Sequence, residues 1–251
     1  MSGLGARQFL LRKAPEHGHH AVTFIELFFD LVFVFAITQL SHHLLHDLSV
    51  IGLLQTLVLF VAVWWAWIDT AWVTNWLDPD RKPVRLMLLA LMLVGLVLSA
   101  SLPKAFHEGG LAFALAYATF QTGRSAFTIW AVARHDRAQS LNFKRILAWQ
   151  ALASVLWIVG AFLHGEARLG LWMLAVVLES LAPSTGFFVP GLGASKAADW
   201  KVEGRHLSER CALFIIIALG ESILVTGATA SDLAWTGLNP HFPSKALISL
   251  S

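Results

Sequence analysis

Six ionisable residues sit inside apolar stretches of this chain: Glu26, Asp30, Asp69, Arg124, Glu179 and Glu221. In hydrocarbon each needs a counter-charge, a water-filled cavity or a proton, so each is a candidate for ion or solute chemistry. Glu26 and Asp30 are four residues apart in VTFIELFFDLVFVFAITQLSHHLL (22–45), and a helix stacks them on one stripe. Whatever satisfies one carboxylate then lies near the other, and the stripe is expected to face protein or water rather than lipid. Thr23-x-x-Glu26 also fits a capping box, which would occupy Glu26 with the free amides of a helix start, whereas Asp30 lies too deep for that role. Arg124, beside Gln121, Thr122 and Ser125, is the one basic residue read as lying well inside a span. Counted at about 1.5 Å per residue from the expected cytoplasmic helix ends, Asp30, Asp69, Arg124 and Glu179 lie roughly 10 to 16 Å deep. They are read as one polar layer, with Asp30 as the expected partner of Arg124. The pair either fixes helix packing or belongs to an ion path.

Asp69 belongs to an aromatic face, since Trp65, Asp69, Trp72 and Trp76 follow i, i+4, i+7 and i+11 spacing. Indole rings beside a carboxylate suit an organic cation, and an interfacial tryptophan belt is the competing reading. Glu179 stands four residues before Pro183. Proline offers no amide to the Glu179 carbonyl, so a helix break is expected there, placing a freed carbonyl beside a carboxylate where a proton or small cation can bind. Glu221, roughly 20 Å deep in the last span, extends the layer, while Glu209 and Arg210 read as interface anchors. His42 and His46 have helical ligand spacing for zinc or for sensing pH, against the reading of solvated interfacial histidines. His17, His19 and His20 precede the first helix and belong to the opposite membrane face.

The elements that must position these groups are helical. Apolar segments run at about 22–42, 51–76, 84–102, 109–132, 146–164, 168–189 and 208–229. Lys and Arg gather before the first segment and in the second, fourth and sixth connections, and only Lys104 and Arg168 fall in the alternate ones. The positive-inside rule then places the N-terminus in the cytoplasm. The expected fold is an all-α polytopic membrane protein, a bundle of about seven transmembrane helices. Residues 1–21 form a cytoplasmic segment, 22–229 the helical domain and 230–251 a polar tail. Short connections predict that successive helices are antiparallel neighbours.

Composition agrees: 57% of the residues are hydrophobic and 14% charged, with strongly positive mean hydropathy, which excludes an ordinary soluble domain. The net charge of +2 is too small for a nucleic-acid surface. A single cysteine, Cys211, excludes an intrachain disulfide and a cysteine-based metal site. No cofactor is implied.

Two runs, FIELFFDLVFVFAITQLSHHL and HLSERCALFIIIALGESIL, resemble the bacterial low temperature requirement protein A (LtrA) family, with consistent hydrophobic spacing from Val22 to Thr229. The resemblance implies a multi-pass protein of the bacterial inner membrane, linked by name to growth in the cold, and implies no catalytic residues. Family chains continue through further membrane segments. This chain turns polar at Ser231, so the resemblance implies a short member or a truncated product.

The functional expectation is an ion or small-solute transporter or channel, with membrane lipids and a proton, small cation or organic cation as partners. The alternative is a structural or sensory protein of envelope adaptation. An enzyme is not expected: Gly-x-Ser-x-Gly and His-Glu-x-x-His are absent, and Asp78-Pro-Asp80 more simply ends a helix. A retinal photoreceptor lacks its lysine in the last span.

Overall fold

Thr23 opens the first helix by a local contact, with Glu26 Oε2 accepting from both the backbone amide and the hydroxyl of Thr23 at 2.9 Å. The computed structural model describes residues 10–12, 21–196, 200 and 203–238. Among them it contains seven helices: α1 (Phe24–His46), α2 (Val50–Trp76), α3 (Lys82–Ser101), α4 (Gly110–Val132), α5 (Arg137–Ala161), α6 (Gly165–Leu181) and α7 (Gly204–Leu238). The N-terminal histidines His17, His19 and His20 lie outside the described residues.

Four of the helices are long and apolar enough to cross a membrane: α1, α2, α3 with the 3-10 turn that follows it, and α5. The other three supply Arg124, Glu179 and Arg210 to the interior. A buried charge lowers a helix's mean hydropathy without exposing anything polar to its surroundings. On α1, Phe24, Phe28, Leu31 and Phe35 are exposed, while Glu26 and Asp30 are fully buried. Apolar outside and polar inside is the arrangement that a lipid solvent selects.

Helix α1 packs on α2, α3 and α7; α4 lies between α3 and α5 and also touches α2; α6 closes against α5 and α2. Successive helices are neighbours in four pairs, α1 with α2, α3 with α4, α4 with α5 and α5 with α6, as the short connections predict, whereas α3 packs on α1 and α4 instead of lying along α2. Aromatic rings fill the interior, with Phe33 5.0 Å from Phe29 and 5.7 Å from Phe120, and Trp157 5.1 Å from both Tyr117 and Trp172.

Two boundaries differ from the sequence reading. Helix α5 begins at Arg137, nine residues before the apolar segment (146 − 137), because Asp136 accepts the Gln139 amide at 2.8 Å and caps a polar first turn. Helix α6 ends at Leu181, so Pro183 terminates the helix instead of kinking a longer span. The Phe187 amide returns to the Ala182 carbonyl at 2.8 Å, and Gly186, at φ 63°, turns the chain where a Cβ would lie 2.6 Å from the Ser195 carbonyl oxygen. Phe187 follows at φ 51°, a strained conformation for a side-chain-bearing residue. The turn is pinned to α5, with Trp149 donating to the Phe188 carbonyl at 3.0 Å and Arg145 Nε to that of Leu192 at 3.1 Å.

At the opposite end of the bundle, Arg168 takes the place of an acid-paired charge by serving carbonyls. It donates to Leu163, Ala105, His107 and Ala161 at 2.8 to 3.0 Å, satisfying chain ends that lack an amide partner. Lysine has one nitrogen and cannot span these acceptors. Arg168→Lys is therefore expected to destabilise the protein by about 2 kcal/mol or more, with buried carbonyls left unsatisfied. The thermal unfolding midpoint in detergent checks this, and an unchanged midpoint refutes it.

Candidate functional site

Helix α2 has polar groups on two faces, and each face organises a buried cluster. The first involves α1, α7 and the N-terminal strap. Arg12 crosses the end of α2, its amide bonding the Trp76 carbonyl at 2.8 Å and its Nε the Thr74 carbonyl at 2.7 Å. Its Nη2 meets Glu26 Oε1 at 3.0 Å. The His206 ring stands 3.3 Å and Arg210 3.7 Å from the same oxygen. Arg210 also forms a short ion pair with Asp30, and Trp67 Nε1 donates to Asp30 at 2.7 Å. Arg210 lies over the rings of Phe29 and Trp67 at 5.9 and 5.8 Å. The four-residue stripe is thus buried, and one guanidinium serves both carboxylates. Two arginines face two carboxylates here, so their charges balance.

This overturns two expectations. Asp30 pairs with Arg210, not with Arg124, and Arg210 is a fully buried partner instead of an interface anchor. Depth counted along the helices suggested Asp30 and Arg124 as partners, but α2 stands between them. Counting charge carried a signal: five acids were set against one internal base, and Arg210 on the α7 face was the nearest basic residue to supply the deficit.

The second cluster lies among α2, α4, α5 and α6. Arg124 Nη2 pairs with Asp69 Oδ2 at 2.9 Å, and Nη1 donates to the Ala66 carbonyl and the Thr70 hydroxyl at 3.2 Å. Gln150 continues the network: its amide oxygen accepts from Arg124 at 2.9 Å, and its nitrogen donates to Ser125 Oγ at 2.6 Å and the Gln121 carbonyl at 3.1 Å. The Gln121 side chain donates to the Tyr117 hydroxyl at 3.0 Å, which lies 3.1 Å from both oxygens of Glu179. Trp157 Nε1 contacts Glu179 at 3.4 Å. Among the described residues no Lys, Arg or His forms an ion pair with Glu179. The cluster therefore holds two carboxyls and one guanidinium.

A cavity of about 590 Å³ opens beside this cluster. All four residues of the predicted aromatic face, Trp65, Asp69, Trp72 and Trp76, line it, and Pro183, Phe187 and Trp200 from the α6–α7 connection cover it. The Trp72, Trp76 and Trp200 rings stand 5.9 to 6.1 Å from one another. Trp200 and Phe187 had no signal in helix periodicity, because a loop carries them. A smaller cavity of about 30 Å³, lined by Asp69, Gln121, Gln150, Pro183 and Glu179, lies beside it, with room for a water. Asp69 and Glu179 thus share one solvent-sized space. The single polar layer of the sequence reading is two clusters on either side of α2.

Glu221 is part-buried on α7 and joins neither cluster. His42 and His46 line another cavity, of about 430 Å³, with His43, His107 and Asp47. Ser49 donates its amide to Asp47 at 2.9 Å and holds that carboxyl below the usual range. Among the described residues no three His, Cys, Asp or Glu groups are placed together to hold a metal ion.

No solved structure matches the chain. A protein of Rhizobium meliloti (strain 1021), described as uncharacterized, is 46% identical over 217 residues, which is 86% of this chain and 53% of that protein. The chain spans about half the length of this curated relative. The family model described as bacterial low temperature requirement A protein (LtrA) matches residues 21–242. With that match across nearly all of its helices, and with apolar helices around buried charge, this membrane protein belongs to the LtrA family.

Proposed function

We propose that the protein is a proton-linked transporter of a small solute, built from seven transmembrane helices, with its N-terminus in the cytoplasm of a bacterial inner membrane and no enzymatic activity. One observation carries the reading: Glu179 is a buried carboxyl with no cationic partner among the described residues, on a water-sized cavity that shares Asp69, Pro183 and Phe187 with the larger aromatic one. A carboxyl in that setting ionises only when something balances its charge, which is the property a coupling group needs. Helices α4, α6 and α7 complete the count of seven spans, their charges turned inward. On the orientation given by the basic residues, the aromatic cavity opens towards the cytoplasm, under the connection from Pro183 to Trp200. The balanced cluster of Arg12, Glu26, Asp30 and Arg210 supports the other reading, a structural or sensory membrane protein of envelope and cold adaptation, for its own side of α2.

Proton flux into liposomes containing the purified protein, under an imposed pH gradient, separates the two. Wild type is expected to conduct or exchange protons, and Glu179→Gln, which keeps the shape of the side chain, is expected to lose at least about 90% of that flux, as removal of the carboxyl proposed to couple it implies. Flux unaffected by Glu179→Gln, or no flux from folded wild type, refutes the transport reading.

A further inference from the structure

The aromatic cavity has a charge preference that can be read from its wall. Asp69 and Arg124 both line it, but unequally. The Asp69 side chain is 32% exposed and that of Arg124 only 1%. The guanidinium nitrogens Nη1 and Nη2 are turned to Ala66, Thr70, Asp69 and Gln150. Asp69 Oδ2 takes the arginine, whereas Oδ1 accepts no hydrogen bond from a described residue. A solute entering the cavity therefore meets a carboxylate oxygen before it meets a positive charge. The indole rings of Trp65, Trp72, Trp76 and Trp200 line the same cavity, and such rings attract cations and contribute area to an apolar body. Charge count agrees, because once Glu179 has given up its proton Asp69 and Glu179 together exceed Arg124 by one negative charge. An anion would face that excess with the one guanidinium already engaged.

We infer that the aromatic cavity binds an organic ammonium, its apolar part among the Trp72, Trp76 and Trp200 rings and its charged nitrogen at the free oxygen of Asp69. This rests on the transport reading only for its consequence, since binding itself needs no flux. The solute then supplies the positive charge that Asp69, Arg124 and Glu179 lack. A solute that brings this charge competes with a proton on Glu179, which fits exchange of one cation for the other. Phe187 and Trp200, on the α6–α7 connection, contribute rings to the cavity wall, and the left-handed Phe187 lines both cavities.

Equilibrium dialysis of the purified full chain in detergent tests this with three probes of one aryl group: benzyltrimethylammonium, phenylacetate and benzyl alcohol. Saturable binding of the ammonium is expected, with the anion and the alcohol at least about tenfold weaker. Asp69→Asn and, separately, Trp72→Leu are each expected to weaken ammonium binding by about tenfold or more. Asp69→Asn leaves a buried arginine half-satisfied and can fail to fold, so Trp72→Leu, which touches no ion pair, carries the test if it does. Equal binding of the three probes, preference for phenylacetate or benzyl alcohol, ammonium binding indifferent to Trp72→Leu in folded protein, or no saturable binding at all overturns the inference. Ammonium binding without proton flux would refute the transport reading alone, and flux without ammonium binding would refute this inference alone.

Discussion

Arg210→Met is expected to be among the most damaging single substitutions in the chain, and Asp30→Asn placed beside it is expected to restore much of what was lost. Both side chains are fully buried. Removing the guanidinium leaves Asp30 as an uncompensated carboxylate inside the bundle, with only the Trp67 indole as donor, which costs roughly 3 to 5 kcal/mol. Asparagine keeps the oxygen that accepts from Trp67 but carries no charge, so the double variant replaces a broken ion pair by a neutral contact. Glu26 retains Arg12 at 3.0 Å throughout. Thermal midpoints of the two singles and the double form a mutant cycle, and a coupling of about 1 to 3 kcal/mol is expected between positions 30 and 210. The same cycle between Asp30 and Arg124 is expected to be additive within about 0.5 kcal/mol, because α2 separates them. Coupling at 30 and 124 with none at 30 and 210 would mean that the helices are arranged differently.

That contrast marks what the residues alone disclose. The apolar segments placed the helices because hydrocarbon needs length and every helix supplies its own backbone bonds, so one-dimensional information suffices. The Glu26 and Asp30 stripe and the Trp65, Asp69, Trp72, Trp76 face were legible for the same reason, since a helix fixes which of its own residues share a side. Partners across helices were not. Depth is a function of chain position, whereas azimuth depends on which helices touch, and α3 packing on α1 and α4 is not written in the loop lengths. Arg210 was misplaced on that account: it lies near a helix start, where an arginine commonly reaches solvent, until α1 and α2 wall it in. Trp200, Phe187 and Arg12 lie on irregular backbone, where no period marks the inward side. Pro183 disclosed a break, but whether the chain resumes its helix depended on Gly186 and the contacts of the following turn.

The second ion pair is expected to respond unevenly, and the unevenness tests where the cavity opens. Asp69→Leu strands Arg124, which is 1% exposed and cannot shed its charge, so a loss of roughly 3 to 5 kcal/mol is expected. Arg124→Met strands Asp69 instead, but that side chain is 32% exposed to the cavity, where water or a proton can satisfy it. The loss there is expected to be smaller by about 1 to 2 kcal/mol, the difference between an uncompensated and a solvated charge in a partly buried site. The pair at Asp30 and Arg210 has no such asymmetry, since both side chains are fully buried. Ligand binding should separate the two positions in the same sense: Arg124→Met keeps the carboxylate and the indoles and is expected to bind benzyltrimethylammonium at least as well as wild type, whereas Asp69→Leu is expected to lose it. The measurement is the thermal midpoint of both variants with and without the ammonium, whose binding raises the midpoint of any form that holds it. Should Arg124→Met prove the more damaging change and also lose the ligand, the arginine would be the group presented to the solute, and the cavity would select an anion.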